Sequence, residues 1–141
     1  MEDDPYTIAL FGEAEKGEFE TAYFCRNLPD LAEHLGHPPE ESKGLYFAVQ
    51  ALMYQHQLIF FRVHEEGFST DDYLLGLRLL KNEVLIPELS AICMPGVGDA
   101  ELIENSTCLC AQHDSVLILD ESDLYDYLTD PAAGEEPKEN Y

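Results

Sequence analysis

Apolar residues in this chain fall into short continuous runs, separated by stretches with helical spacing. Thr7-Ile8-Ala9-Leu10-Phe11, closed by Gly12, is the first run. Its continuity predicts a strand buried on both faces. Leu58-Ile59-Phe60-Phe61-Arg62-Val63, Leu89 to Met94 and Ser115 to Leu119 have the same character and predict three more core strands. Glu18 to Cys25, with Phe19, Thr21, Tyr23 and Phe24, predicts a second strand or an edge extension.

Helical patterns lie between these runs. Asn27 is placed to cap a helix with Pro29 in its first turn and Leu28, Leu31 and Leu35 on one face. Gly36 ends it, and His37-Pro38-Pro39 forbids continuation. Lys43 to Gln55 is the clearest helix, with Leu45, Val49, Leu52 and Met53 as its inward stripe. Ser69 with Asp72 three residues on resembles a capping box, opening a helix that packs Tyr73, Leu74, Leu77 and Leu80 inward. Met94 leads into Pro95-Gly96, which stops the third core strand. Asp99 starts a helix carrying Leu102, Ile103 and Leu109, and Asp120 to Ser122 turns into a short one carrying Leu124, Tyr125 and Leu128. Strands separated by single helices imply right-handed crossovers. The expected fold is therefore a single layered α/β sandwich. Its mostly parallel or mixed sheet has about four to five strands flanked by helices. The core domain is expected over 1–129. From Asp130 the composition shifts to Pro, Ala, Gly, Glu and Lys, so 130–141 is expected to be a disordered acidic tail.

Charge changes the functional picture most. There are 29 Asp plus Glu against 7 Lys plus Arg, a formal net charge of -22. Phosphate backbones and anionic lipid surfaces are bound through Lys and Arg, so neither nucleic acid nor membrane is an expected partner. A basic protein partner suits such a surface, although a merely well-solvated acidic exterior explains it equally. The acidic N-terminus lacks the features of a secretory signal, and no apolar run reaches the length of a membrane helix. A cytoplasmic location with reduced thiols is expected for Cys25, Cys93, Cys108 and Cys110.

Candidate chemistry is sparse. Gly12-Glu13-Ala14-Glu15-Lys16-Gly17 follows a strand, but Lys16 precedes Gly17, which is not the order a phosphate loop needs. Glu13, His64, Glu65, Glu66, Asp99, Asp120, Glu121 and Asp123 fall in loops beyond strand ends, where α/β proteins gather ligands. Such carboxylates suit a divalent cation such as Mg²⁺, but acids occupy nearly every loop of this chain. Cys108-x-Cys110 lacks the spacing of zinc or redox pairs, and His34 with His37 supplies only two ligands. Cys93 ends a core strand and needs His64 or His113 beside it to act as a nucleophile. No catalytic, cofactor or metal residue is assigned.

The order of these patterns resembles the core of contractile tail-sheath proteins, found in phage tails and related injection machines. The resemblance is carried by the Gly12-to-Gly17 segment after the first strand and by Asn27 to Leu35-Gly36. It continues through Leu45-Tyr46-Phe47-Ala48-Val49-Gln50-Ala51-Leu52 before Phe60-Phe61-Arg62-Val63. Met94-Pro95-Gly96-Val97 and Cys110 ahead of Leu119-Asp120 complete it. It spans about Thr7 to Leu124 and implies a structural, non-catalytic subunit or accessory of a larger assembly. Sheath subunits build their mesh with terminal arms that add strands to neighbours. The short segment before Thr7 and the acidic tail are not expected to supply one, so the implied protein is a reduced sheath-like core. Phe19, Tyr23 and Phe24, with Tyr6 nearby, flank the first strands, and Tyr125 and Tyr127 lie near the C-terminal end. These aromatics are the candidate interface, for self-association or for a basic protein. Two other readings stand beside this one: a small acidic α/β enzyme or divalent-metal-binding domain using the strand-end carboxylates, and an acidic adaptor that masks a basic partner.

Overall fold

The computed structural model describes residues 7–19, 21–37, 42–81, 89–113 and 115–129. The elements follow in the order β1 (Thr7–Gly12), β2 (Ala22–Cys25), α1 (Leu28–Leu35), α2 (Gly44–Met53), β3 (Gln57–Arg62), α3 (Thr70–Leu80), β4 (Ala91–Cys93), α4 (Ala100–His113), β5 (Val116–Ile118) and α5 (Glu121–Thr129). The five strands form one sheet in the order β2-β3-β1-β4-β5. β1 pairs in parallel with β3 and β4, and β4 with β5, whereas β2 runs antiparallel on the outer side of β3. The expected α/β sandwich with a mostly parallel, mixed sheet is what the chain forms. The tail expected over 130–141, Tyr6 and the Pro38-Pro39 stop lie outside the described residues.

Continuous apolar strands divide their side chains between two cores, because successive residues point to opposite faces. Ile8, Leu10, Leu58, Phe60, Ala91 and Cys93 face one layer, closed by Leu31 and Leu35 of α1, Leu45, Ala48 and Ala51 of α2, and Leu124 and Leu128 of α5. Ala9, Phe11, Ile59, Phe61 and Ile92 face the other, closed by Tyr73, Leu77 and Leu80 of α3 and Leu102 and Leu109 of α4. The ring of Phe11 stacks on Phe61 at 4.8 Å and on Tyr73 at 5.3 Å, tying β1, β3 and α3 together. Full burial of such side chains is worth about 2 kcal/mol each, so these two layers hold the fold together.

Several local expectations hold in detail. Asn27 Oδ1 accepts the main-chain N–H of Asp30 at 2.9 Å, and Gly36 ends α1 at φ 80°. Asp99 Oδ1 accepts from Leu102 N–H at 3.1 Å, and Asp120 Oδ1 from Asp123 N–H at 2.8 Å, so both aspartates cap the helices they precede.

Others need correction. Met53 does not face the core; it is 67% exposed. Gly44, Ala48 and Ala51 are small enough to let α2 close on the sheet, so the inward arc centres on them and turns Met53 and Tyr46 outward. Leu28, in the first turn of α1, is likewise exposed while Leu31 and Leu35 are buried. The capping box at Ser69 does not form. Its hydroxyl accepts from Glu65 N–H and donates to Glu65 O, while the Asp72 carboxylate turns to His64.

Candidate functional site

The carboxyl ends of the four parallel strands open into one cavity of about 760 Å³. Glu13 follows β1, Glu65 and Glu66 follow β3, Pro95 and Gly96 follow β4, and Asp120 and Glu121 follow β5. This is where an α/β sheet presents ligands. Lys43 supplies an ammonium against these five carboxylates, so the cavity is acidic.

Three of its carboxylates, Glu13, Glu66 and Asp120, are bonded to the protein's own main chain. Glu66 Oε1 accepts the N–H groups of Glu13 and Gly44, each at 3.1 Å, and its Oε2 accepts Lys43 N–H at 2.7 Å. Glu13 Oε2 in turn accepts Glu66 N–H at 2.9 Å. Glu66 thus sits on the N-terminus of α2, satisfying free N–H groups and complementing the positive end of the helix dipole. The approach depends on two glycines. A Cβ on Gly12 would stand 2.7 Å from the Cα of Gly44, so any side chain there would push β1 and α2 apart.

The Gly12-to-Gly17 segment does not enter a helix. Glu15 and Lys16 both donate their N–H groups to Leu35 O, at 3.1 and 3.2 Å, and Glu15 Oε1 accepts from His37 N–H. Arg62 holds the far end. Its Nη1 donates to Gly17 O at 2.6 Å, and its guanidinium lies 4.4 Å from the ring of Phe19, a cation–π contact. The loop therefore runs across the carboxyl end of β3, crossing from β1 to β2.

A second polar group lies beside it. His64 Nδ1 is 2.8 Å from Asp72 Oδ2, which also accepts the His64 N–H, and the imidazole stacks on Phe19 at 3.6 Å between ring centres. Burial pushes the Asp72 carboxyl up, but the hydrogen bonds from His64 outweigh it and hold the group below its ordinary range.

Cys93 is not activated as a nucleophile. It is fully buried, and burial, then the charges of Glu66 and Asp120, push its thiol well above the ordinary value. His64 is engaged with Asp72, and His113 Nε2 lies 3.0 Å from Leu80 O. A neutral, inaccessible thiol does not serve as a nucleophile. All four cysteines are free, with Cys108 exposed and Cys110 buried on the same helix. His34 is half-buried with its ring tilted against Tyr23, away from any ligand partner. Among the described residues no three His, Cys, Asp or Glu side chains converge as a metal site.

The aromatic candidates divide. Phe24, on the edge strand β2, is 56% exposed, and Tyr125 is 58% exposed. Tyr23 is half-buried and its hydroxyl accepts Glu18 N–H at 2.6 Å, while Phe19 is half-buried under Arg62 and His64. Tyr127 is buried against His56. Sequence reasoning missed the role of Glu66, whose partners lie far away along the chain, and missed the outward face of α2. Comparison with protein-family models, with curated proteins and with solved structures returns no match. Among the described residues no helix is long and apolar enough to cross a membrane.

Proposed function

We propose that this chain is a structural or assembly protein, a reduced sheath-like core that serves as a subunit or accessory of a larger protein assembly and catalyses nothing. The observation that carries this reading is the edge of the sheet. β2 pairs only with β3 among the described residues, which leaves its outer hydrogen-bonding groups free for a partner's strand, with Phe24 exposed beside them. β5 ends the other side of the sheet, with Val116 exposed.

The segments that carry the tail-sheath resemblance also meet in space. Arg62, at the end of β3, fastens the Gly12-to-Gly17 loop through Gly17, and Glu15 and Lys16 of that loop donate to Leu35 O. In this reading the partners are proteins, either further copies or a basic protein, and the acidic surface excludes nucleic acid. The setting is the cytoplasm, in keeping with four unpaired thiols.

Light scattering on a sizing column at low and high salt, with negative-stain microscopy of each peak, tests the proposal. Rings, tubes or defined oligomers are expected once salt screens the charge of -22. A strict monomer at every salt would remove autonomous assembly.

A further inference from the structure

An apolar groove of about 600 Å³ runs between α2 and α5, lined by Gln50, Met53, Tyr54 and Tyr125, with Glu121 and Ser122 at one end. Met53 is 67% exposed, and Tyr46 and Tyr54 add apolar surface on the same helix and its C-cap. Such a cluster is more than scattered surface apolarity, and Met with Tyr is the composition of an adaptable binding surface.

Charge around the groove selects the occupant. α2 carries no charged residue at all, whereas α5 carries Glu121, Asp123 and Asp126 and no cation. Glu121 and Ser122 also line the acidic cavity at the strand ends, so the groove opens onto Asp120 and Glu65. One surface therefore joins an apolar trough to a carboxylate-rich rim. A second copy is a poor occupant, because a symmetric pairing of this face would set the same acidic rims against each other.

We infer that the α2–α5 groove docks an amphipathic helix of a partner protein, with apolar anchors against Met53, Tyr54 and Tyr125 and with Lys or Arg side chains reaching Glu121 and Asp120. This helix-in-groove mode uses apolar positions one helical turn apart for affinity and the basic flank for steering. The inference rests on the proposed assembly role and deepens it by giving it a second surface, distinct from the β2 edge.

Fluorescence anisotropy of the full chain with a synthetic amphipathic peptide tests it. The probe carries Leu at helical spacing and Lys between, and a scrambled peptide of the same composition is its control. The helical peptide is expected to bind at least about tenfold more tightly than the scrambled one, a difference of about 1.4 kcal/mol. Met53→Glu and Tyr125→Glu are each expected to weaken it about tenfold, although both add negative charge, while leaving the melting temperature unchanged. Phe24→Ser is expected to leave peptide binding as it is. Equal binding of the scrambled peptide, or full affinity in both groove variants, would reduce the effect to general attraction for a polyanion and overturn the inference. Self-association abolished by Tyr125→Glu would assign the groove to a second copy and overturn it as well. Loss of edge-dependent assembly with peptide binding intact would remove the proposed function and leave the groove standing, so the two failures are distinguishable.

Discussion

The acidic cavity at the strand ends and the apolar groove between α2 and α5 share Glu121 and Ser122, yet they are built oppositely. In the cavity, Glu66 and Glu13 are held by main-chain N–H groups from three segments of the chain. In the groove, Met53, Tyr54 and Tyr125 are exposed and cover no core. Position at the carboxyl end of a parallel sheet suggests a ligand site, but here carboxylates occupy the helix N-terminus where an anion would sit. The contrast teaches that Glu13 and Glu66 hold the fold, while exposed apolar side chains lie on the α2 and α5 helices and on the edge strand β2.

Substitutions break that contrast most sharply at Glu66. Glu66→Ala leaves the N–H groups of Glu13, Lys43 and Gly44 without their acceptor and is expected to cost about 3 kcal/mol in urea unfolding. Tyr125→Glu, on the groove, is expected to change stability by less than about 0.5 kcal/mol. Equal losses in the two variants would end the distinction between a structural cavity and a surface groove. Gly12→Ala comes next. Its Cβ meets the Gly44 backbone, and an overpacking cost of about 2 kcal/mol is expected by the same assay.

The pH dependence is smaller and has a defined sign. Asp72 has its carboxyl held below the ordinary 3.8, so the folded state releases that proton more readily than the unfolded chain. Its stabilisation is present above the unfolded value and is lost as pH falls through the lower, folded one. His56 is lowered by burial from 6.5. The unfolded chain therefore takes up the His56 proton first, and stability falls as pH drops below about 6.5. Melting curves of His56→Gln are expected to lack the slope beginning there, and those of Asp72→Asn the one beginning near the carboxylate range. A profile unchanged by either substitution would contradict these assignments.

The strands were legible because their signal is local. Runs of five or six mostly apolar residues bounded by polar or turn-forming ones admit few alternatives, and the helix starts at Asn27, Asp99 and Asp120 are read from neighbours a few positions away. Glu66 was visible only as one acid among many, since its partners at Glu13, Lys43 and Gly44 are brought to it by β1, β3 and α2 packing. The Ser69–Asp72 pattern was misread for the same reason. His64 competes for Asp72 with both its main-chain N–H and its ring, and that geometry exists only once β3 ends where it does. On α2 the leucines suggested a stripe ending at Met53, but small residues decided which side could approach the sheet.

The most direct test of the assembly reading is light scattering of the full chain at high salt, beside the variant Phe24→Lys. A lysine on an edge strand opposes strand addition without disturbing a buried contact. Higher-order species in the parent chain that are lost in the variant, at equal melting temperature, are the predicted result. Identical behaviour of the two chains, whether both assembled or both monomeric, would contradict assembly through the β2 edge.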